Sequence, residues 1–185
     1  TFLPRSKILS LEEIAILCEI FVDLGINKIR LTGGEPLVRK NVTRLIKQIG
    51  KLDGLKELAI TTNGSQLEKY AQEIRRSGVS RINISLDTLN SKKFKELTRT
   101  GSLSKVLRGI ETAKQAKFDR IKINAVILKN RNSDEVLKLA QFAIDNDLDI
   151  AFIEEMPLGA IVEHDRAEAF YPSNQIKKDL ERILD

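Results

Sequence analysis

The sequence is poor in the residues that would give several functions away. It has one cysteine, Cys18, so no internal disulfide can form and a reducing compartment is the expectation. Its one histidine, His164, has no cysteine or second histidine near it, so no metal-ligand spacing arises. We expect no metal site on this chain and read His164 as a solvated loop residue. Aromatics make up 5%, with no basic-aromatic stripe of the kind that stacks single-stranded nucleic acid. The net charge of +5 is too small an excess to argue for DNA, although it suits an anionic small molecule. No apolar run approaches the length of a membrane span, and no secretory signal precedes the first helix signal at Ser10. These absences point to a cytoplasmic protein with neither nucleic acid nor membrane as partner. The only methionine is Met156, and the opening Thr1-Phe2-Leu3-Pro4-Arg5 reads as the inside of a longer protein.

What is there is a chain of 185 residues, 42% hydrophobic and 31% charged, enough for one sizeable core. It is read as a single domain over 1–185, cut at both ends. Ser10-Leu11-Glu12-Glu13 is a capping box that starts a helix to about Leu24, stopped by Gly25. Leu11, Ile14, Cys18, Phe21 and Val22 fall on its buried face. The stretch from Lys28 then reads as a short strand running straight into the Gly33-Gly34-Glu35-Pro36 turn. Asn41 is placed to cap a helix through Leu52, with Leu45, Ile46 and Ile49 inward and Gly54 as its stop.

The alternation continues with strand Lys56–Thr62, helix Leu67–Ser77, strand Arg81–Asp87, helices Ser91–Leu97 and Ser104–Lys117, and strand Ile121–Ile127. Ser133 is expected to cap a helix to about Asn146, with Val136, Leu139, Ala140, Ala143 and Ile144 inward. Strand Asp149–Ile153 follows. Residues 161–172 lack periodicity and are read as a loop, with 173–185 as a closing helix begun by Ser173. No hairpin signal occurs anywhere, which means parallel strands with right-handed crossovers. The choice lies between a doubly wound sheet and an open or closed α/β barrel. In either, ligands gather at the C-terminal ends of the strands.

Those ends carry the chemistry. Gly33-Gly34-Glu35-Pro36 follows the first strand, and two glycines expose bare backbone that a ligand can approach. Glu35 adds a charge able to accept hydrogen bonds from an ammonium group. Lys28 and Arg30 share one side of their strand, as Lys122 and Asn124 do of theirs. Arg30, Gly34, Thr61, Ser85, Lys122 and Met156 come from five different strands or their ends. Lysine on a mostly apolar strand is expensive unless it meets an anion or water, so the set suits a phosphorylated ligand.

The motifs also occur in one order: Lys28–Pro36 as KIRLTGGEP, Thr61–Gly64 as TTNG, Arg81–Asp87 as RINISLD, and Phe152–Pro157 as FIEEMP. With the opening Phe2-Leu3-Pro4-Arg5 and Leu9–Glu13, this set resembles the GTP 3′,8-cyclase family. These are radical S-adenosylmethionine (radical SAM) enzymes that begin molybdenum-cofactor biosynthesis. The resemblance covers essentially the whole chain, although the Gly-Gly-Glu-Pro turn alone marks only the superfamily. It implies an α/β fold, an incomplete (β/α) barrel of the radical SAM type with parallel strands and crossover helices. It implies conversion of GTP to 3′,8-cyclo-GTP, with cyclic pyranopterin monophosphate synthase as the downstream enzyme; a homodimer is one candidate assembly, and the oligomeric state stays open.

Residue by residue, Gly34, Ser85 and Met156 fall on positions that bind S-adenosylmethionine, and Arg30, Thr61 and Lys122 on positions that hold GTP. The implied cofactors are S-adenosylmethionine and 4Fe-4S clusters. The cluster cysteines would lie before Thr1 and beyond Asp185, so no catalytic or metal residue is assigned here, and the segment alone is expected to be inactive. A further departure is Ala151, where the family has Arg; one charge-assisted contact is thereby lost. The residues leave other readings open. One is a different radical enzyme, such as a peptide-modifying one. Another is a non-redox α/β barrel enzyme acting on a phosphorylated sugar through a Schiff base at Lys122. A third is a cluster-free nucleotide-binding module.

Overall fold

The structure, a computed structural model, describes residues 8–156 and 166–184. His164 and the rest of residues 161–165, the first part of the 161–172 segment, therefore lie outside the described residues. Helix α1 (Leu11–Asp23) opens on the expected capping box: the Glu13 amide donates to Ser10 Oγ at 3.0 Å, and the Ser10 amide returns to Glu13 Oε2 at 2.7 Å. Strand β1 (Lys28–Leu31) follows, then α2 (Val42–Ile49), β2 (Glu57–Thr62), α3 (Leu67–Arg76) and β3 (Val79–Ser85). After α4 (Ser91–Thr98) and α5 (Leu103–Gln115) come β4 (Arg120–Ile127), α6 (Val136–Asp145) and β5 (Asp149–Glu154). A short α7 (Arg166–Ala169) and α8 (Ser173–Leu184) complete the described chain.

All five strands pair in parallel, in the order β1-β2-β3-β4-β5. This order settles the choice of architecture. A doubly wound sheet reverses strand order at a switch point and carries helices on both faces. Here the order never reverses, so right-handed crossovers place every connecting helix on one face, as in a barrel wall. Burial agrees: Leu58, Ile60, Ile82, Ile84, Ile121 and Ile123 form a dry layer beneath the helices. The alternate residues look the other way, and Lys28, Arg30, Thr61, Ser85, Lys122 and Asn124 stay exposed or half-buried. The strands thus have a helix face, which holds the fold, and an open face.

Several boundaries differ from the sequence expectation for physical reasons. Helix α2 stops at Ile49, not Leu52, because Gly50 is pressed against the turn after α3: a Cβ there would lie 1.9 Å from the Ser77 carbonyl oxygen. Asn41 precedes α2 but caps nothing with its side chain; it is left-handed, at φ 64°. Ser133 begins a 3-10 turn (Ser133–Glu135), and its side chain makes no cap bond to the helix after it. Phe21 and Ile144, expected inside, are 48% and 65% exposed, while Cys18 and Val22 are buried as expected. The expected loop contains the helical turn Arg166–Ala169, and Phe170 bridges Leu128 beside it. Ser173 starts α8 with its amide donated to the Glu154 carboxylate. No helix among the described residues is long and apolar enough to cross a membrane.

Candidate active site

The turn after β1 is built to stay open. Gly33 takes φ 141°, a region L side chains rarely adopt, and a Cβ on Gly33 or Gly34 would meet nothing within 4 Å. Bare backbone at the C-terminal end of a strand therefore faces open space. Glu35 has a task within the fold. Its Oε1 accepts from the Leu37 amide at 3.0 Å and Thr62 Oγ1 at 2.8 Å, and its Oε2 from the Asn63 amide at 2.6 Å. Thr62 lies on the buried helix face, so the carboxylate fastens the glycine turn to the end of β2.

Strand register fixes the rest. One row across the open face reads Thr61, Asn83, Lys122, Asp149, each the lateral partner of the next. The row nearer the strand starts reads Arg30, Ala59, Arg81, Arg120, and the row nearer the C-terminal ends reads Ser85, Asn124, Ala151. With strands about 4.8 Å apart, Thr61 and Lys122 sit about 10 Å from each other across Asn83. The structure thus brings Arg30, Thr61, Ser85 and Lys122 onto one surface. Gly34 and Met156 flank it at opposite edges, after β1 and after β5, with Met156 63% exposed. A single ligand touching both must lie across the strand ends.

The cations on this face fall into two groups. Arg81 pairs with Glu57 at 3.3 Å and Arg120 with Asp149 at 3.5 Å, so both are neutralised within the fold. Lys28, Arg30 and Lys122 have neither a hydrogen bond nor an ion pair among the described residues. Three unneutralised charges on one open surface form an anion site without an anion supplied by the fold.

Beyond Ser85 the chain leaves the sheet, and side chains complete the ladder. Asp87 accepts the Val126 amide at 2.8 Å; buried Asn132 donates to the Asp87 and Val126 carbonyls and accepts the Leu128 amide. Burial pushes the Asp87 carboxyl above its ordinary value, and the bond from Val126 offsets this only in part. Glu135, also buried, accepts Thr88 Oγ1 at 2.9 Å, the Leu89 amide at 3.0 Å and Lys138 Nζ at 3.1 Å. Burial alone would raise its pKa, but the hydrogen bonds from Thr88, Lys138 and Leu89 hold it below the usual carboxylate range. These knots fix the loops around the open face and escaped the sequence reading, which has no signal for which distant side chains meet. Asn83 was also passed over, although the alternation Arg81, Asn83, Ser85 marked it as facing the same way.

The fit to the implied cofactors divides. The open glycine turn and exposed Ser85 suit a polar, amino-acid-like group lying over the strand ends. An iron–sulfur cluster needs thiolates, and the one cysteine is buried on α1 with its thiol pKa raised by burial. No group of three or more His, Cys, Asp or Glu among the described residues is placed to hold a metal. This chain's own residues do not make a cluster site.

A parallel sheet in unreversed order, helices on one face and a glycine turn at the first strand end define the class. The Radical SAM superfamily model matches residues 1–143, and the chain belongs to that superfamily. It is similar to the GTP 3′,8-cyclase of Pseudomonas syringae pv. syringae (strain B728a), 57% identical over 178 residues, or 96% of this chain and 54% of that protein. The chain thus spans about half the length of the curated relatives it matches. Among solved structures, native anSMEcpe with bound AdoMet superposes with a TM-score of 0.75 at 19% identity, over 98% of this chain and 53% of that one. Streptococcus suis SuiB gives a TM-score of 0.74 at 22% identity, over 100% of this chain and 42% of that one. These two likenesses concern the fold alone.

Proposed function

We propose that this chain is the substrate-facing barrel segment of a GTP 3′,8-cyclase, acting with S-adenosylmethionine in a longer protein. The observation that carries the reading is the unneutralised trio Lys28, Arg30 and Lys122 on the same open face as Thr61, on a chain 57% identical to such a cyclase. Arg30 and Lys122 hold triphosphate oxygens, and Thr61 donates a hydroxyl hydrogen bond to the same ligand. The Gly33-Gly34 backbone accepts the methionine ammonium of S-adenosylmethionine, Ser85 bonds its ribose end, and the Met156 segment borders the adenine. S-adenosylmethionine, when bound, supplies the radical chemistry; the chain's own residues bind, orient and exclude water. The ligands of an iron–sulfur cluster do not come from this chain, which has one cysteine.

The arrangement gives each reactant its own part of one surface. The glycine turn seats the cofactor at the strand ends, while the cations lie deeper along the strands and draw the triphosphate inward. The ribose of GTP is thereby pulled toward the cofactor, and orientation is where a protein scaffold contributes most to rate.

The test is calorimetric titration of GTP into the full-length protein and its Arg30→Ala and Lys122→Ala variants. Each variant loses a charge-assisted contact, so Kd rises by about ten- to a hundredfold. Melting temperature stays at the wild-type value, because neither cation has a partner among the described residues to lose. Unchanged GTP affinity in both variants refutes the assignment. If 5′-deoxyadenosine forms with some other substrate while GTP is ignored, the protein is a different radical enzyme.

A further inference from the structure

Among the described residues the buried polar side chains are satisfied, with one exception. Among the described residues five polar side chains are buried: Thr62, Asn83, Thr88, Asn132 and Glu135. Thr62 bonds Glu35 and the Gly64 amide, Thr88 bonds Glu135, Asn132 makes three bonds to backbone, and Glu135 accepts three. Asn83 is 6% exposed, and its carboxamide has no partner among the described residues. A buried carboxamide with nothing to bond is rare, because it has given up water on both its oxygen and its nitrogen. An apolar residue would serve the strand better, as Ile82 and Ile84 do on the other face.

Its position says what it waits for. Register places Asn83 on the open face, with Thr61 beside it on β2 and Lys122 beside it on β4. On the same strand Arg81 lies one step down, already bound to Glu57, and Ser85 one step up. The carboxamide is thus flanked by a hydroxyl and an ammonium group, both facing the same space.

We infer that Asn83 is a substrate-contacting residue, whose amide N–H donates to an anionic oxygen of the ligand held between Thr61 and Lys122. This rests on the assignment of that surface to GTP and adds a contact to it: a neutral, directional donor in the middle of the row. Lysine draws in the anion from any angle, whereas a carboxamide on a buried strand position fixes where one oxygen must sit. The carboxamide oxygen, in turn, accepts from the Thr61 hydroxyl or the Lys122 ammonium group once these close on the ligand.

The experiment compares wild-type, Asn83→Ala and Asn83→Asp full-length protein by calorimetric titration of GTP, alongside thermal unfolding without ligand. Asn83→Ala is expected to raise Kd about tenfold, with the melting temperature equal to or above wild type, since no hydrogen bond of the fold is lost. Asn83→Asp places a carboxylate against the anion and is expected to weaken binding further than Ala. Wild-type GTP affinity in Asn83→Ala overturns the inference, as does Asn83→Asp binding as tightly as wild type, which would make Asn83 an acceptor. A lower melting temperature in Asn83→Ala with unchanged Kd assigns it a structural role and overturns the inference too. A wild-type protein that ignores GTP overturns the functional assignment itself, so the two failures are told apart.

Discussion

Replacing Glu135 by Ala is the most demanding stability test of this structure, because one carboxylate serves two loops. Its Oε2 takes the Thr88 hydroxyl at 2.9 Å and the Leu89 amide at 3.0 Å, while its Oε1 takes Lys138 Nζ at 3.1 Å. Lys138 is well exposed and returns to water at little cost. Thr88 is fully buried and Leu89 half-buried, so their donors are stranded. Two stranded donors at about 1–2 kcal/mol each give a loss of about 3 kcal/mol. At 2–4 °C per kcal/mol for a chain of this size, the melting temperature falls by about 6–12 °C. Urea titration followed by far-ultraviolet circular dichroism reads the same quantity as a shift in midpoint at constant slope.

The cycle with Thr88→Val sharpens the test, since removing donor and acceptor together leaves one fewer orphan. The double variant should then be less destabilised than the sum of the singles by about 1 kcal/mol. The pH dependence has a definite sign. Glu135 titrates below its ordinary value in the fold, so its contribution is complete above the unfolded pKa of about 4.3 and is lost as pH falls through the folded one. Glu135→Gln removes that acid-dependent component. A Glu135→Ala variant within 0.5 kcal/mol of wild type, on the scale at which surface changes are neutral, would refute the reasoning.

Three further substitutions probe the packing of the glycines and the buried Asp87. Gly50→Ala drives a methyl group into the backbone of Ser77 and Gly78, which has no flexible end to yield, and should cost about 3 kcal/mol or more in urea unfolding. Gly34→Ala, in open space, should unfold like wild type and serves as the control. Asp87→Asn keeps an oxygen for the Val126 amide and removes a carboxylate that burial disfavours. With its folded pKa raised, the ionised Asp87 lowers stability at neutral pH. Asp87→Asn should therefore melt at or above wild type at pH 7.5, and any gap should close below the unfolded value of about 3.9, as scanning calorimetry across pH would show.

Much of this architecture was legible because strands and helices repeat with different periods. The alternation Arg81-Ile82-Asn83-Ile84-Ser85 declares a strand with one wet face, and the Ser10–Glu13 box declares a helix start. Periodicity gives the direction of an apolar stripe but not its width, which depends on how many helices flank it. Phe21 and Ile144 sit at the margins of their stripes and stay exposed. Gly50 and Gly54 look alike as helix stops, and only packing against Gly78 decides between them. The open-face positions Arg30, Thr61, Ser85 and Lys122 could be picked out one by one. Their rows could not, because register is a relation between strands that no single segment contains. The bonds of Glu35 within the fold were missed for the same reason, since Thr62 and Asn63, which donate to it, belong to the end of another strand.

The two-faced sheet also bears on how such a protein can change over generations. Stability and chemistry are written on alternate letters of the same strand, so each can be edited with little cost to the other. Ile121, Ile123 and Ala125 answer to the helices, whereas Lys122 and Asn124 answer to whatever lies in the open space. Ala151 is such a position: it lies on the open face beside Asn124, where a change of side chain leaves the buried layer untouched. A lineage can drift through many ligands at these positions while the fold goes on forming. The mutation it cannot survive is a one-residue insertion within a strand, which would exchange the two scripts at once.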